Sequence, residues 1–186
     1  MKGSQLAGTS LNRDRAPDDF YATPESSTQA LLGVEEIIYP ALEPACGQGH
    51  ISKLLDSSKV VYSSDLVYRG YGEIKDFLKD EFPNDINTVI TNPPFNLFQE
   101  FAEKALEVAN KKVILFGKLQ ALEGEKRGSF MEYSPLRCVY VFKKRQNPMR
   151  NGSPVDEKGK PWASTMAFAW FVWDKDWTVC PVIKWL

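Results

Sequence analysis

The chain has 186 residues, of which 43% are hydrophobic and 25% are charged, and its formal net charge is −1. This length suits one domain, and the composition excludes a disordered chain, a collagen-like repeat and a coiled coil. No apolar run approaches the ~18 residues of a membrane span, and residues 1–5 lack the apolar stretch of a signal peptide. We therefore expect a soluble, cytoplasmic protein that has no membrane partner.

Residues that could bind a metal are few. The three cysteines are widely spaced without a Cys-x-x-Cys pair, and His50 is the only histidine. Zinc sites need several closely spaced cysteine and histidine ligands, so we expect no metal site and reduced thiols. A single histidine with no nucleophile elbow near it also argues against a Ser/His/Asp hydrolase.

The first two thirds of the chain alternate strand and helix patterns after a polar leader. Residues 1–18 lack periodicity, which predicts a flexible segment. A helix is predicted to begin at 50–55, and the short β-branched runs at 59–65 and 87–91 predict strands. Apolar residues then recur at three- and four-residue spacing over 98–109, which predicts an amphipathic helix. This order predicts βαβ units and a parallel sheet that is buried on both faces.

The last third of the chain has a different pattern. The runs at 138–142 and 166–173 predict two strands with little room for a helix between them. The stretch at about 144–165 is rich in Asn, Gly, Pro and charged residues, so we predict an antiparallel pair that carries a long basic loop. Structureless loops of this length are uncommon in compact domains unless they are functional or disordered. Residues 19–186 are therefore expected to form a single domain with this loop as an insertion.

A glycine-rich turn follows the first strand. Residues 43–49 read Glu-Pro-Ala-Cys-Gly-Gln-Gly, and Gly47 and Gly49 allow a tight turn and the close approach of a ligand. The stretch is neither the Gly-x-Gly-x-x-Gly of dinucleotide enzymes nor a Walker A loop. Asp65 ends the next strand, where a carboxylate can accept two hydrogen bonds from a ribose diol. A purely structural turn with a capping aspartate is the alternative interpretation.

A second motif, Asn92-Pro93-Pro94-Phe95, directly follows the strand at 87–91. The two prolines fix φ and hold the preceding residues extended, so the Asn92 amide and the Pro93 carbonyl are predicted to project rigidly from the carboxyl edge of the sheet. Such a pair can accept hydrogen bonds from an exocyclic amine, and Phe95 offers a face on which a planar base can stack.

These motifs, together with Asp76-Phe77, resemble in order and spacing those of the S-adenosylmethionine-dependent amino methyltransferases. The sequence is most similar to the DNA adenine-N6 methyltransferases, particularly small phage-encoded members. Three further stretches carry this resemblance: Phe-Tyr-Ala-Thr-Pro at 20–24, the loop at 119–127, and Ala-Phe-Ala-Trp-Phe-Val-Trp-Asp at 167–174. The resemblance covers about 20–180, and it implies a phage-infected or bacterial host cell and a link to restriction and modification.

The resemblance implies a Rossmann-like, class I methyltransferase fold of the α/β class. Its sheet is mostly parallel and seven-stranded with an antiparallel last strand, and helices cover both faces. The implied cofactor is S-adenosylmethionine. The resemblance assigns its methionine portion to Glu43, Ala45, Gly47 and Gly49, and its ribose hydroxyls to Asp65. Its adenine is assigned to Leu66, Asp76 and Phe77. The segment that covers the cofactor is assigned to Tyr21, Thr23 and Pro24.

The implied reaction is methyl transfer to the N6 amine of adenine in DNA. Asn92, Pro93, Pro94 and Phe95 are the implied catalytic residues. A duplex buries this amine, so the target base has to be flipped out or single-stranded, and Phe95 is predicted to stack on it. Only residues 118–165 remain for recognition, which predicts short or relaxed sequence specificity. The candidate phosphate contacts are the basic residues of this region: Lys126, Arg127, Lys143, Lys144, Arg145 and Arg150.

Two alternatives remain open at this point. The same Asn-Pro-Pro-aromatic motif serves methyl transfer to other planar amines, which include RNA adenine or guanine, cytosine N4 and protein glutamine. The other is a non-catalytic protein that retains the fold and the cofactor pocket. The intact motif at 92–95 argues against the latter, because a lapsed enzyme has no physical need for it. We expect a monomer or a weak homodimer.

Overall fold

The computed structural model describes residues 20–162 and 165–186. The predicted flexible leader at 1–18 lies outside these residues. The described part of the chain contains ten strands. In chain order they are β1 (Tyr21–Ala22), β2 (Ala41–Glu43), β3 (Val61–Asp65), β4 (Glu73–Ile74), β5 (Thr88–Thr91), β6 (Lys112–Lys118), β7 (Leu136–Val141), β8 (Met149–Arg150), β9 (Phe168–Asp174) and β10 (Val182–Trp185).

Eight of these strands form one mixed sheet in the order β10-β7-β9-β6-β5-β2-β3-β4. Strands β2 to β6 pair in parallel, which confirms the predicted parallel sheet. The carboxyl ends of β2, β3 and β5 therefore meet at one edge of the sheet, at Glu43, Asp65 and Thr91. In doubly wound sheets ligands bind in the crevice outside this edge.

The far side of the sheet corrects the expected strand count and the expected position of the antiparallel strand. Strand β9 runs antiparallel to both β6 and β7, which confirms the predicted antiparallel pair of the last third. This strand is not the last of the sheet. Strand β10 follows it and pairs in parallel with β7, so the sheet has eight strands rather than seven. All four residues of β10 are exposed, so the run has no buried face whose pattern would have predicted a strand.

Among the described residues, three α-helices cover the two faces of the sheet: α1 (Glu25–Leu32), α2 (Phe98–Val108) and α3 (Glu125–Tyr133). Leu31 of α1 packs in one core cluster with Ile90, whereas Phe101 of α2 packs in a second cluster with Val89. Neighbouring residues of β5 thus point into different cores, as expected for a strand that is buried on both faces.

The amphipathic helix predicted over 98–109 is confirmed by α2. The helix predicted to begin at 50–55 is wrong, because this stretch contains only a short 3₁₀ turn, Ser52–Leu54. Leu55 is already extended, with φ −74° and ψ 162°. Asp56 then starts a turn in which its carboxylate accepts the backbone N–H of Ser58, so the chain reverses before an α-helix can form.

A buried ionic cluster lies at the sheet end opposite the cleft. The carboxylate of Glu35 accepts hydrogen bonds from Lys112 Nζ at 2.8 Å, from Tyr140 Oη at 2.9 Å and from the guanidinium of Arg137. Burial raises the pKa of Glu35, but the hydrogen bonds from Lys112, Tyr140 and Arg137, together with the charge of Lys112, outweigh it and hold this pKa below its usual value. The cluster therefore keeps a charged carboxylate inside the fold.

A small two-stranded sheet lies beside the carboxyl edge of the main sheet. Strand β1 pairs antiparallel with β8, with Tyr21 opposite Arg150, and the backbone N–H of Asn151 donates to the carbonyl of Phe20 at 3.1 Å. The predicted basic loop thus contains a strand that holds the N-terminal segment in place. No helix within residues 20–162 and 165–186 is long and apolar enough to cross a membrane.

Candidate active site

A cleft that is open to solvent lies over the carboxyl ends of β2, β3 and β5. Five segments converge on it, namely residues 20–23, 43–46, 65–67, 76–78 and 92–94. Its walls combine aromatic rings with a few carboxyl groups, a lining that is typical of small-molecule sites. The chain therefore has a ligand cleft where a doubly wound sheet is expected to have one.

Most of the predicted site residues line this cleft. The lining residues among the cofactor predictions are Tyr21, Thr23, Glu43, Ala45, Asp65, Leu66, Asp76 and Phe77, and those among the catalytic predictions are Asn92, Pro93 and Pro94. Four predicted residues are not in its lining: Pro24, Gly47, Gly49 and Phe95. Pro24 precedes the first residue of α1, and the other three stand directly behind or beside lining residues.

The glycine turn has the predicted conformation but different neighbours. Gly47 and Gly49 have φ values of 53° and 80°, which other residues rarely adopt. A Cβ on Gly47 would overlap the ring of Phe20, and one on Gly49 would overlap the ring of Tyr71. The glycines therefore allow two aromatic rings to lie on the turn, and this close packing adds to the predicted role in ligand approach.

The carboxylate of Asp65 is fixed at the end of β3. Its Oδ2 accepts the backbone N–H of Gly47 at 2.8 Å, and its Oδ1 accepts that of Val67 at 3.0 Å. Arg69 lies 3.8 Å away and places its guanidinium over the ring of Phe20. A carboxylate has about four acceptor positions, so two remain for further donors such as ligand hydroxyls.

Glu43 is a buried acid at the floor of the cleft, with 2% of its surface exposed. Its carboxylate accepts hydrogen bonds from the backbone N–H of Ser52 at 2.7 Å and from the Ser52 hydroxyl, which also contacts the hydroxyl of Ser63 at 2.7 Å. Burial raises the pKa of Glu43 to about 8, and the nearby charge of Asp65 adds to this effect while the Ser52 bonds oppose it. Much of Glu43 is therefore protonated at neutral pH.

Asp76 and Phe77 form the wall beyond Asp65. The Asp76 carboxylate accepts the backbone N–H of Leu78 at 3.1 Å and pairs with Lys79 at 2.8 Å, which holds the pKa of Asp76 below its usual value. The ring of Phe77 packs on Phe101 of α2 at a centroid distance of 5.1 Å. A charged carboxylate thus stands beside a fixed aromatic ring.

Asn92 has the most informative geometry in the cleft. Its Nδ2 donates to the backbone carbonyl of Tyr21 at 2.6 Å. Its Oδ1 is buried and has no hydrogen-bond partner among the described residues. Because the Tyr21 carbonyl can only accept, it determines which way the amide is turned and leaves the oxygen as the free group. Buried polar groups are normally hydrogen-bonded, so an acceptor without a partner in a cleft suggests that a ligand donates to it.

Phe95 lies beside the cleft in an aromatic cluster. Its ring stacks on Tyr21 with a centroid distance of 5.5 Å and an interplanar angle of 27°, and it contacts Phe168 at 5.6 Å. The ammonium of Lys118, at the end of β6, lies 4.7 Å from the centre of the Phe95 ring. The face predicted to receive a base is therefore covered by Tyr21 in this structure.

Three polar or aromatic residues that line the cleft, Phe20, His50 and Arg69, were not among the predicted site residues. Phe20 and Arg69 line it as a stacked pair, and His50 lines it next to Cys46. Burial, together with the charge of Lys53, lowers the pKa of His50, and burial raises the pKa of the Cys46 thiol to about 12. The imidazole and the thiol are thus uncharged at neutral pH. The only sequence signal that could have indicated Phe20 is its place at the start of the Phe-Tyr-Ala-Thr-Pro stretch. No sequence signal indicated Arg69.

The predicted nucleic-acid contacts fall into separate groups. Lys126 and Arg127 line a second, polar depression next to Phe95. Arg150 is half-buried on β8, opposite Tyr21. The remaining three are exposed and follow the carboxyl end of β7, at the same edge of the sheet as the cleft: Lys143, Lys144 and Arg145. Within the part of the chain that the structure describes, no group of three or more His, Cys, Asp or Glu side chains is arranged to hold a metal ion.

Comparison with solved structures identifies this architecture. A putative RNA methyltransferase from Pyrococcus horikoshii superposes with a TM-score of 0.61 at 14% identity, over 85% of this chain and 88% of the other. A putative class I S-adenosylmethionine-dependent methyltransferase from Listeria monocytogenes gives a TM-score of 0.54 at 16% identity, over 98% of this chain and 68% of the other.

The fold is that of the class I methyltransferases. The methyltransferase subunit of a type I restriction-modification system from Streptococcus thermophilus also matches, with a TM-score of 0.56 at 11% identity. The match covers 82% of this chain but only 43% of that subunit, so this chain spans less than half of its length. No family model and no curated protein sequence matches the chain. At these identities the likeness shows the fold alone.

Proposed function

We propose that this protein transfers a methyl group from S-adenosylmethionine to the N6 amine of adenine in DNA. The observation that carries the proposal is the Asn92 amide, whose nitrogen is fixed by Tyr21 and whose buried oxygen has no partner among the described residues. This acceptor stands at the carboxyl edge of the sheet, in the same cleft as Glu43 and Asp65. An amine that enters the cleft finds there an acceptor that needs no rearrangement.

The cleft fits the proposed cofactor by its charge and its donor set. S-adenosylmethionine supplies a methyl group on a positively charged sulfonium. Asp65 and Asp76 place carboxylates at the cleft, which favour a cation, and Glu43 adds a third when a bound cation displaces its proton. Asp65 has two acceptor positions left for the ribose hydroxyls, and the fixed Phe77 ring offers an apolar wall for the adenine.

In the proposed reaction Asn92 and Pro93 act on the attacking amine. The nitrogen lone pair of an adenine amine is delocalised into the ring, so the amine is a weak nucleophile. A hydrogen bond from the amine to Asn92 Oδ1, and a second to the Pro93 carbonyl, draws the two protons aside and concentrates electron density on the nitrogen. The nitrogen forms its bond to the methyl carbon as the carbon–sulfur bond breaks, and it then loses one proton to solvent. Fixed dipoles and positioning supply the acceleration, and no covalent enzyme intermediate is needed.

The basic residues beside the cleft support a nucleic acid as the substrate. Lys126 and Arg127 flank Phe95, and the exposed cations that follow β7 lie at the same edge of the sheet. The net charge of the chain is −1, so attraction of a nucleic acid would have to come from local groups of cations such as these. Such contacts bind phosphates without reading sequence, which agrees with short or relaxed specificity.

Adenine in RNA is a second candidate. One specific observation favours it: the putative RNA methyltransferase from Pyrococcus horikoshii has about the same extent as this chain, because the match covers 88% of that protein. The methyltransferase subunit of the restriction-modification system, in contrast, is more than twice as long as the matched region.

The test is to incubate the protein with tritiated cofactor and separate pools of DNA, RNA and protein. Label in DNA is the expected result, and Asn92→Ala removes it while it leaves cofactor affinity within about threefold, because the amide contacts the amine and not the cofactor. Label in RNA alone would replace the proposed substrate by the second candidate. Cofactor binding in a calorimeter without label in any pool would show a non-catalytic protein.

A further inference from the structure

The ring of Tyr21 lies where the proposed substrate base has to lie. It is stacked on Phe95 at a centroid distance of 5.5 Å and an interplanar angle of 27°. A base inserted between the two rings needs a centroid separation of about 7 Å, which is twice the ~3.5 Å contact distance between carbon atoms. The two rings therefore exclude a base from this face of Phe95 as long as they remain in contact.

The backbone of Tyr21, in contrast, is held in place from two sides. Its carbonyl accepts the hydrogen bond from Asn92 Nδ2 at 2.6 Å, and β1 pairs with β8 at the register Tyr21 opposite Arg150. The carbonyl of the preceding residue, Phe20, accepts the N–H of Asn151 at 3.1 Å. A displacement of the whole segment would break all of these bonds, whereas rotation about the Cα–Cβ bond of Tyr21 moves only the ring.

We propose that the Tyr21 side chain is a stand-in for the target base: it must rotate off Phe95 before adenine can bind, while the Tyr21 carbonyl stays on Asn92. This inference rests on the proposed function, since it names the group that the substrate displaces. It assigns Tyr21 to the base site rather than to the cofactor cover that its sequence context implied. The residue then has two separable parts, a backbone that orients the acceptor and a ring that competes with the substrate.

The competition has a measurable consequence. A stacked pair of aromatic rings has a favourable interaction that corresponds to a factor of about 2 to 10 in binding. In Tyr21→Ala the substrate no longer displaces a ring, and the alanine keeps the carbonyl that binds Asn92. In Tyr21→Trp the displaced ring is larger, so the base binds more weakly. Adenine affinity is therefore expected to fall in the order Ala, Tyr, Trp at position 21.

The test uses fluorescence anisotropy to measure binding of two single-stranded oligonucleotides, one with a single adenine in a thymine run and one with thymine only. Both are used as DNA and as the corresponding RNA. The quantity compared is the adenine-dependent gain in affinity. It is expected to increase by about 2- to 10-fold in Tyr21→Ala and to decrease in Tyr21→Trp. Tyr133→Ala is the matched control, since Tyr133 is 83% exposed at the end of α3 and is expected to leave the gain unchanged.

Two further measurements separate the possible outcomes. Calorimetry with S-adenosylmethionine is expected to give the same affinity for Tyr21→Ala and wild type; a loss of cofactor affinity would return Tyr21 to the cofactor cover and overturn the inference. An adenine gain that is unchanged or smaller in Tyr21→Ala overturns it as well, and thermal unfolding shows whether either variant has lost its fold. If the wild type methylates DNA while the Ala, Tyr, Trp order is absent, only this inference fails; if no nucleic acid accepts a methyl group, the proposed function fails.

Discussion

The buried acid at the cleft floor leads to a prediction that calorimetry can test. Glu43 has a pKa of about 8 in the free protein, so at pH 7 about 0.9 of the carboxyl groups are protonated. A cationic ligand in the cleft favours the charged form and lowers this pKa. If binding restores the ordinary value of 4.5, about 0.9 of a proton is released per ligand bound at pH 7.

The same linkage sets the pH dependence of cofactor affinity. Below pH 8 the ligand has to displace a proton, so its affinity rises by up to tenfold per pH unit and by about 50-fold between pH 6 and pH 8, above which it levels off. Glu43→Gln keeps the size of the side chain but cannot ionise. We expect the ratio of wild-type to variant affinity to increase by about 50-fold over this range.

The assay is isothermal titration calorimetry of S-adenosylmethionine at several pH values, in buffers of different ionisation enthalpy. The α-amino group of the ligand titrates in the same range, but it contributes equally to both proteins and cancels in their ratio. A ratio that is constant from pH 6 to pH 8, or equal proton release by the two proteins, would refute the account of Glu43. The free energy of unfolding provides a control. Because the pKa of Glu43 is raised in the folded state, the contribution of Glu43 to stability is present below pH 4.5 and is lost as the pH rises through 8. Glu43→Gln cannot ionise and is expected not to show this loss.

Three further predictions concern stability and nucleic-acid binding. Gly47→Ala combines a positive φ with overlap on the Phe20 ring, so its free energy of unfolding should fall by about 1–3 kcal/mol. Gly128 lies in a helix with open space around it, so in Gly128→Ala the free energy of unfolding should rise by about 0.5–1 kcal/mol, and chemical denaturation compares the two variants. Glu35→Gln leaves the Lys112 ammonium buried without its counter-charge and should cost about 3–5 kcal/mol by the same method, and a loss under 1 kcal/mol would contradict the buried pairing. Three exposed cations follow β7: Lys143, Lys144 and Arg145. Their replacement by Ala should reduce the slope of log affinity for single-stranded DNA against log salt concentration by about 2, and an unchanged slope would exclude phosphate contact by these residues.

The elements that position the cleft were accessible from the sequence because their signals are local. The run at 87–91 is followed by Asn92 and two prolines, and the carboxyl ends of parallel strands have to meet at one edge. The convergence of Asn92 with Asp65 and Glu43 follows from this rule alone. The amphipathic pattern of α2 was equally informative, since its buried residues repeat at helical spacing.

What the sequence did not reveal depends on contacts between distant residues. Strands β1 and β8 have two residues each and pair across more than one hundred positions, and no pattern of two residues identifies a strand. The contact of the Arg69 guanidinium with the Phe20 ring likewise joins residues that are far apart in the sequence. Strand β10 is exposed along its whole length, so the alternation that usually indicates a strand is absent. The cover of Phe95 by Tyr21 also arises from this long-range packing.

The central claim, that Asn92 activates an adenine amine for methyl transfer, is tested most directly by nucleoside mass spectrometry. DNA is incubated with S-adenosylmethionine and either wild-type protein or Asn92→Ala, digested to nucleosides and analysed for methylated bases. We predict N6-methyladenine with the wild type and a loss of at least about 100-fold in rate with the variant, as for removal of one group that contacts the transition state. Wild-type rates in Asn92→Ala, or methylation of cytosine in place of adenine, would contradict it.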